Sequence, residues 1–308
     1  MKLKLSAHRF NNLLSLLLIL AANHNDKKHK NVSAILAELS NDDLSNLERF
    51  KKILPAFEKV DTETLFLSQT EKDSWHIIKQ ILNKKEIYKF EIIIANFAKS
   101  FDKIWKNEEP RLQKYLAYFK KNDTQLQKIM KVISVICGVK KFSPTNVPIY
   151  LIRSWKYEDL SAWFSWTPTR QSIVVECGKN IENKKYFAVS VLAHEFFHLA
   201  IRKNKKIMRE IDRCAKKHYE VIDKLSDGMP PRIFLEELIV SSFIPEGYLS
   251  KKYFKIPIKK TRLNNKDILN LRRYVAYKME KIARHHVIKK EPISEKYIHE
   301  ILKIINVE

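Results

Sequence analysis

Phe187-Ala-Val-Ser-Val-Leu-Ala-His194-Glu195-Phe196-Phe197-His198-Leu-Ala-Ile201 is apolar on nearly every face of a helix, as a fully buried helix should be. Its few polar side chains are Ser190, His194, Glu195 and His198. Ser190, His194 and His198 recur every four residues and so share one helical stripe. Two imidazoles one turn apart can hold a single Zn²⁺, and Glu195 between them is placed to act as general base toward a water. Burying an ionised glutamate without a partner is costly. A metal and its water would account for all three ionisable groups together. The plainer alternative is a core helix whose histidines and glutamate satisfy one another by hydrogen bonds.

A catalytic zinc takes three protein ligands and keeps one position open. The extension HExxHxxGxxH is absent, because Ile201 stands at the glycine position and Asn204 at the last histidine. That argues against a metzincin. A better source of the third ligand is Pro231-Arg-Ile-Phe-Leu-Glu-Glu-Leu-Ile-Val-Ser-Ser-Phe-Ile-Pro245. Pro230 and Pro231 end the preceding helix, and Pro231 suits the first turn of a new one. Glu236 and Glu237 sit inside this mostly apolar segment. On their own they would read as a solvated helix face.

HEFFH followed by a glutamate-bearing helix resembles the gluzincins, the thermolysin-like zincins. The resemblance spans roughly the second half of the chain. The gap between the two parts is longer than in the thermolysin type, and the Asn-Glu and Asp flanks of that type are missing. The resemblance implies a zinc metallopeptidase in which a glutamate of the second helix completes the metal site. It also implies a polar residue four positions later that supports the ligands. Glu237 has Ser241 there and Glu236 has Val240. His194, His198 and Glu237 are therefore the expected metal ligands, with Glu236 as the alternative to Glu237 and Glu195 as the catalytic base. Zn²⁺ is the expected cofactor, and a peptide or protein the expected substrate. A zincin-like fold retained for binding or regulation is the rival implied by the same resemblance.

Ahead of the motif the pattern changes to strands. Asn146–Arg153, Ser161–Trp166 and Gln171–Cys177 read as strands, with a turn over Thr167–Arg170. A small sheet packed on the HExxH helix is the layout expected of zincins. There an edge strand holds substrate in extended form, and the candidate edges are Trp163–Trp166 and Ile173–Val175.

The remainder reads as helix. Only four glycines occur among 308 residues, and Leu, Ile, Lys and Glu abound. Helical periods run through Leu13–Ala22, Val32–Leu39, Leu44–Leu54, Trp75–Leu82, Ile87–Trp105, Leu112–Phe119 and Leu126–Cys137, with Pro110 as punctuation. After the motif, Ile207–Leu225, Asp267–His286 and Ile293–Ile305 follow the same period. The expected class is α+β and mostly helical. A helical domain is expected over residues 1–145, with a zincin-like catalytic domain over 146–308.

The net charge of +23 raises nucleic-acid binding as a further alternative. The lysines, however, are spread along the chain, and their densest clusters (Lys27-Lys28, Lys203 with Lys205-Lys206, Lys259-Lys260) form no basic stripe interleaved with aromatics. A solvated basic surface fits better. Cys137, Cys177 and Cys214 are too few for a disulfide framework. Cys214 and His218 share a helical spacing that alone carries little. Leu13–Ala22 behind Lys2, Lys4 and Arg9 is too short for a membrane anchor. It reads as a buried or amphipathic first helix of a cytoplasmic protein, with a secretion signal as the alternative.

Overall fold

The computed structural model describes residues 3–23, 29–58, 65–66, 70–140, 146–156, 160–166, 170–179, 187–263 and 267–305. The chain is mostly helical with one small sheet, as its composition implies. Its contacts form two compact units, residues 1–121 with 145–185, and residues 122–144 with 186–308. Neither unit coincides with the division at residue 145 drawn from sequence pattern.

The first unit contains β1 (Lys4–Ser6), helices α1 (Arg9–Asn23), α2 (Lys30–Glu38), α3 (Asn41–Lys51), α4 (Leu54–Glu58), α5 (Glu71–Ile81) and α6 (Lys84–Lys121), and strands β2 (Pro148–Arg153), β3 (Ser161–Trp166) and β4 (Gln171–Cys177). The sheet order is β1-β2-β4-β3. β1 and β4 flank β2 in parallel, and β3 runs antiparallel to β4. All three expected strands are present. Of the two candidate edges, Trp163–Trp166 lies on edge strand β3, whereas Ile173–Val175 lies on β4, paired on both sides. β1 was not foreseen, because three residues are too few to show a period. The turn proposed over Thr167–Arg170 falls largely outside the described residues, as does Lys27-Lys28.

The leucine run Leu13, Leu14, Leu16, Leu17 and Leu20 of α1 is buried in this unit. The same helix completes the sheet. β1 pairs with β2 only as far as Tyr150. Beyond that point the Asn12 side chain takes over: Nδ2 donates to Leu151 O at 3.2 Å, and Oδ1 accepts from Arg153 N at 2.7 Å. A side-chain amide thus stands in for the next peptide of the missing strand. α6 runs unbroken through Pro110, contrary to the expected punctuation. Proline costs the helix one hydrogen bond and a steric clash. Phe101, Trp105, Leu112, Leu116 and Phe119 nevertheless stay on one buried stripe across it, and continuous burial outweighs that local cost.

The second unit contains α7 (Asp123–Ile136), α8 (Phe187–Lys203), α9 (Lys205–Lys217), α10 (Tyr219–Leu225), α11 (Pro231–Phe243), α12 (Tyr248–Phe254), α13 (Ile268–Lys289) and α14 (Glu295–Ile304). α11 is its centre and packs against α8, α9, α10, α12, α13 and α14. α9 and α10 divide the single helix expected over Ile207–Leu225, because His218 leaves helical geometry between them. Among the described residues no helix is long and apolar enough to cross a membrane.

Asn12→Ala should leave Leu151 O and Arg153 N without partners in a buried site. At about 1–3 kcal/mol for each orphaned group, denaturant unfolding of the variant should show a loss of several kcal/mol. A loss below 1 kcal/mol would show that the amide does not complete the sheet.

Candidate metal centre

α8 is buried from Ala188 to Ile201, as its composition demands, so His194, Glu195 and His198 are held in the interior of the second unit. α11 begins with Pro231 at its first turn, as expected. Its packing on α8 brings Glu236 and Glu237 to the two histidines.

The adjacent glutamates take different places. Glu237 spans the histidine pair, with Oε2 3.3 Å from His194 Nε2 and Oε1 3.1 Å from His198 Nε2. The two Nε2 atoms are 3.0 Å apart. Glu236 lies behind His198, its Oε1 2.7 Å from Nδ1. The His194 Nδ1 faces Ile244 O at 3.0 Å. A backbone carbonyl can only accept, so His194 donates from Nδ1, and the carboxylate of Glu236 makes His198 do the same. In their neutral forms both rings then turn Nε2 lone pairs toward each other and toward Glu237. Three acceptors converge on one point, which calls for a cation.

The spacing suits a metal. Ligand atoms 2.0–2.1 Å from one ion at tetrahedral angles lie roughly 3.3 Å apart, against 3.0 Å between the two Nε2 atoms and 3.1 and 3.3 Å from them to Oε1 and Oε2 of Glu237. Glu237 Oε2 is buried with no hydrogen bond of its own. The histidine–carboxylate contact behind His198 and the histidine–carbonyl contact behind His194 are the arrangements that orient metal-ligating imidazoles.

The electrostatics agree. Burial opposes a charge on His198, but the carboxylates of Glu237 and Glu236 outweigh it and raise its pKa to about 10. Without another cation the cluster therefore holds a proton. Burial would raise the Glu237 pKa, yet His198 and His194 hold it well below the usual carboxylate range. Burial likewise opposes ionisation of Glu236, and its contacts with His198 and Arg202 prevail. Glu195 is pushed up to about 7 by burial, which His194 and His198 only partly offset.

Sequence reasoning missed Arg272. It lies on the stripe of α13 that continues through Val275, Ala276 and Met279, all buried. The charged residue at an apolar position of that stripe was the available signal. Its Nε donates to Ser241 Oγ at 2.7 Å, Nη1 is 3.4 Å from Glu237 Oε2, and Nη2 is 3.4 Å from Glu246 Oε1. Ser241, one turn beyond Glu237, supports the carboxylate through this arginine. Arg202 does the corresponding work for Glu236, with Nε 3.3 Å from Oε1. Asn204, at the position of a metzincin's last histidine, instead caps α9 and donates to Cys137 O at 2.7 Å.

Comparison with known protein families, with curated proteins and with solved structures gives no match to this chain.

The segment after α11 carries both Ile244 O and Glu246, and Gly247 is what lets it turn. A Cβ on Gly247 would lie 1.9 Å from Ser242 O, far inside van der Waals contact. Gly247→Ala should destabilise the protein by at least about 1–3 kcal/mol, the usual cost of overpacking, read as a lowered thermal midpoint. An unchanged midpoint would mean that this turn is not held as described.

Proposed function

We propose that the chain is a Zn²⁺-dependent metallopeptidase of the zincin type, with His194, His198 and Glu237 as ligands and Glu195 as general base. The carrying observation is the convergence of two oriented Nε2 lone pairs on a carboxylate that spans them. Two imidazoles and one carboxylate are a donor set of catalytic zinc sites. The charges support a divalent ion. Among the described residues, Glu195, Glu236, Glu237 and Glu246 face Arg202 and Arg272, two positive charges fewer than the carboxylates when all four are ionised. Peptide as the substrate class follows from the gluzincin resemblance.

Zn²⁺ held there would supply a Lewis acid for the scissile carbonyl and a water of lowered pKa. The protein's own groups do the rest. Glu195 accepts a proton from the attacking water as the new carbon–oxygen bond forms. It delivers that proton to the leaving nitrogen as the carbon–nitrogen bond breaks. Glu236 and Ile244 O keep His198 and His194 in the tautomer that presents Nε2. Arg272, braced by Ser241 and Glu246, fixes the orientation of the Glu237 carboxylate. The buried walls of α8 and α11 exclude bulk water from the proton transfer.

Purified protein should bind zinc tightly and cleave peptides from a mixed library. Glu195→Gln should keep the zinc while turnover falls by about 10²-fold or more; an active Glu195→Gln enzyme would sink the mechanism.

The two glutamates separate cleanly in a metal titration. Glu237→Ala should abolish tight binding, whereas Glu236→Ala should weaken it about 10–100-fold, as losing the carboxylate behind a ligating histidine does. The reverse ranking would make Glu236 the ligand.

A further inference from the structure

We propose a second metal site in the same unit, formed by Glu210 and Cys214 of α9 and His299 of α14, with a borderline-soft divalent ion such as Zn²⁺ as its ligand. One ligand atom from each of the three residues lies within 4.8 Å of the other two. Glu210 and Cys214 are one turn apart and share a face of α9. Helix α14 packs against α9 and contributes His299. The spacing already suits a shared ion. A thiolate sulfur at 2.3 Å and an oxygen near 2.0 Å from one tetrahedral centre lie roughly 3.6 Å apart, and Cys214 Sγ is 3.7 Å from Glu210 Oε1.

The donor chemistry selects the ion. A thiolate with an imidazole favours zinc over magnesium or calcium, which prefer oxygen alone. Thiolate, carboxylate and neutral imidazole together carry two negative charges, which a divalent ion neutralises. Cys214 is buried and forms no disulfide. Glu210 and His299 line a cavity of about 950 Å³, which gives an ion a path in and leaves room for a solvent ligand. Arg213 now pairs with Glu210 and with Glu295. Glu295 also lies 3.4 Å from His299 Nε2. Arg213 is a mostly exposed side chain, free to swing toward solvent with Glu295 when an ion takes its place. The spacing of Cys214 and His218 carries little in the sequence, and the fold groups Cys214 with Glu210 and His299 instead.

This site differs from the histidine pair in having a sulfur ligand, and the test uses that difference. The full chain carrying His194→Ala, to disable the first centre, is titrated with Co²⁺. A thiolate-to-cobalt charge-transfer band should appear in the near ultraviolet, and excess Zn²⁺ should abolish it. Cys214→Ser and His299→Gln, each in the same background, should lose the band, while Cys137→Ser should keep it. His299→Gln leaves the buried cysteine in place, so its result stands even if Cys214→Ser folds poorly. No band in the folded His194→Ala protein, or a band that survives Cys214→Ser or His299→Gln, would overturn the proposal. Neither outcome bears on the first centre, whose ligands include no sulfur.

Discussion

The imidazole of His198 is held at both nitrogens by carboxylates from adjacent residues of one helix, and the centre depends on that grip. Consecutive helical residues point about 100° apart. Glu236 and Glu237 can therefore reach opposite sides of the ring only if His198 projects between them. This fixes the rotation of α11 about its axis relative to α8. It also separates two chemically identical neighbours into different roles. Glu236 is fully buried against Nδ1 and acts through the ring. Glu237 faces the point where both Nε2 atoms meet. The burial of two carboxylates in an apolar core is tolerable because Arg202 and Arg272 flank them, one on each. Removing a member of such a set leaves a buried charge uncompensated, so the group stands or fails together.

The parts legible in the sequence were those expressed by local spacing. His194 and His198 lie one turn apart, Glu195 sits beside them, and Pro231 starts the second helix. The strands β2, β3 and β4 were legible as short runs rich in Ile, Val, Tyr and Trp. The preference for Glu237 over Glu236 used one local cue, the hydroxyl of Ser241 a turn later, and the geometry places Glu237 between the two histidines. Arg272 was not legible, because its partners lie 26 to 35 residues away in sequence on elements whose packing no period reveals. Asn12 was hidden for the same reason. Nothing in a leucine-rich helix announces that one amide will extend a sheet 139 residues downstream. Pro110 misled in the opposite direction: a strong local breaker was overridden by aromatic burial on either side of it.

The two proposed centres share no residue, yet they meet through α11. α9 follows α8 after Asn204 alone, whose side chain caps α9 at Lys206 N and Ile207 N. The direction of α9 is thereby tied to the end of the helix that carries His194 and His198. α9 and α14 both pack against α11, the helix of Glu236 and Glu237. An ion joining Cys214 to His299 would fasten α9 to α14 on one side of α11, while α13 and Arg272 brace its other contacts. Any influence of the second ion on the first would therefore travel through the orientation of α11 and hence through the grip on His198. A displacement of only about an ångström in that helix would change the spacing of Glu237 from the two Nε2 atoms, where metal affinity is set by distances held to about 0.2 Å.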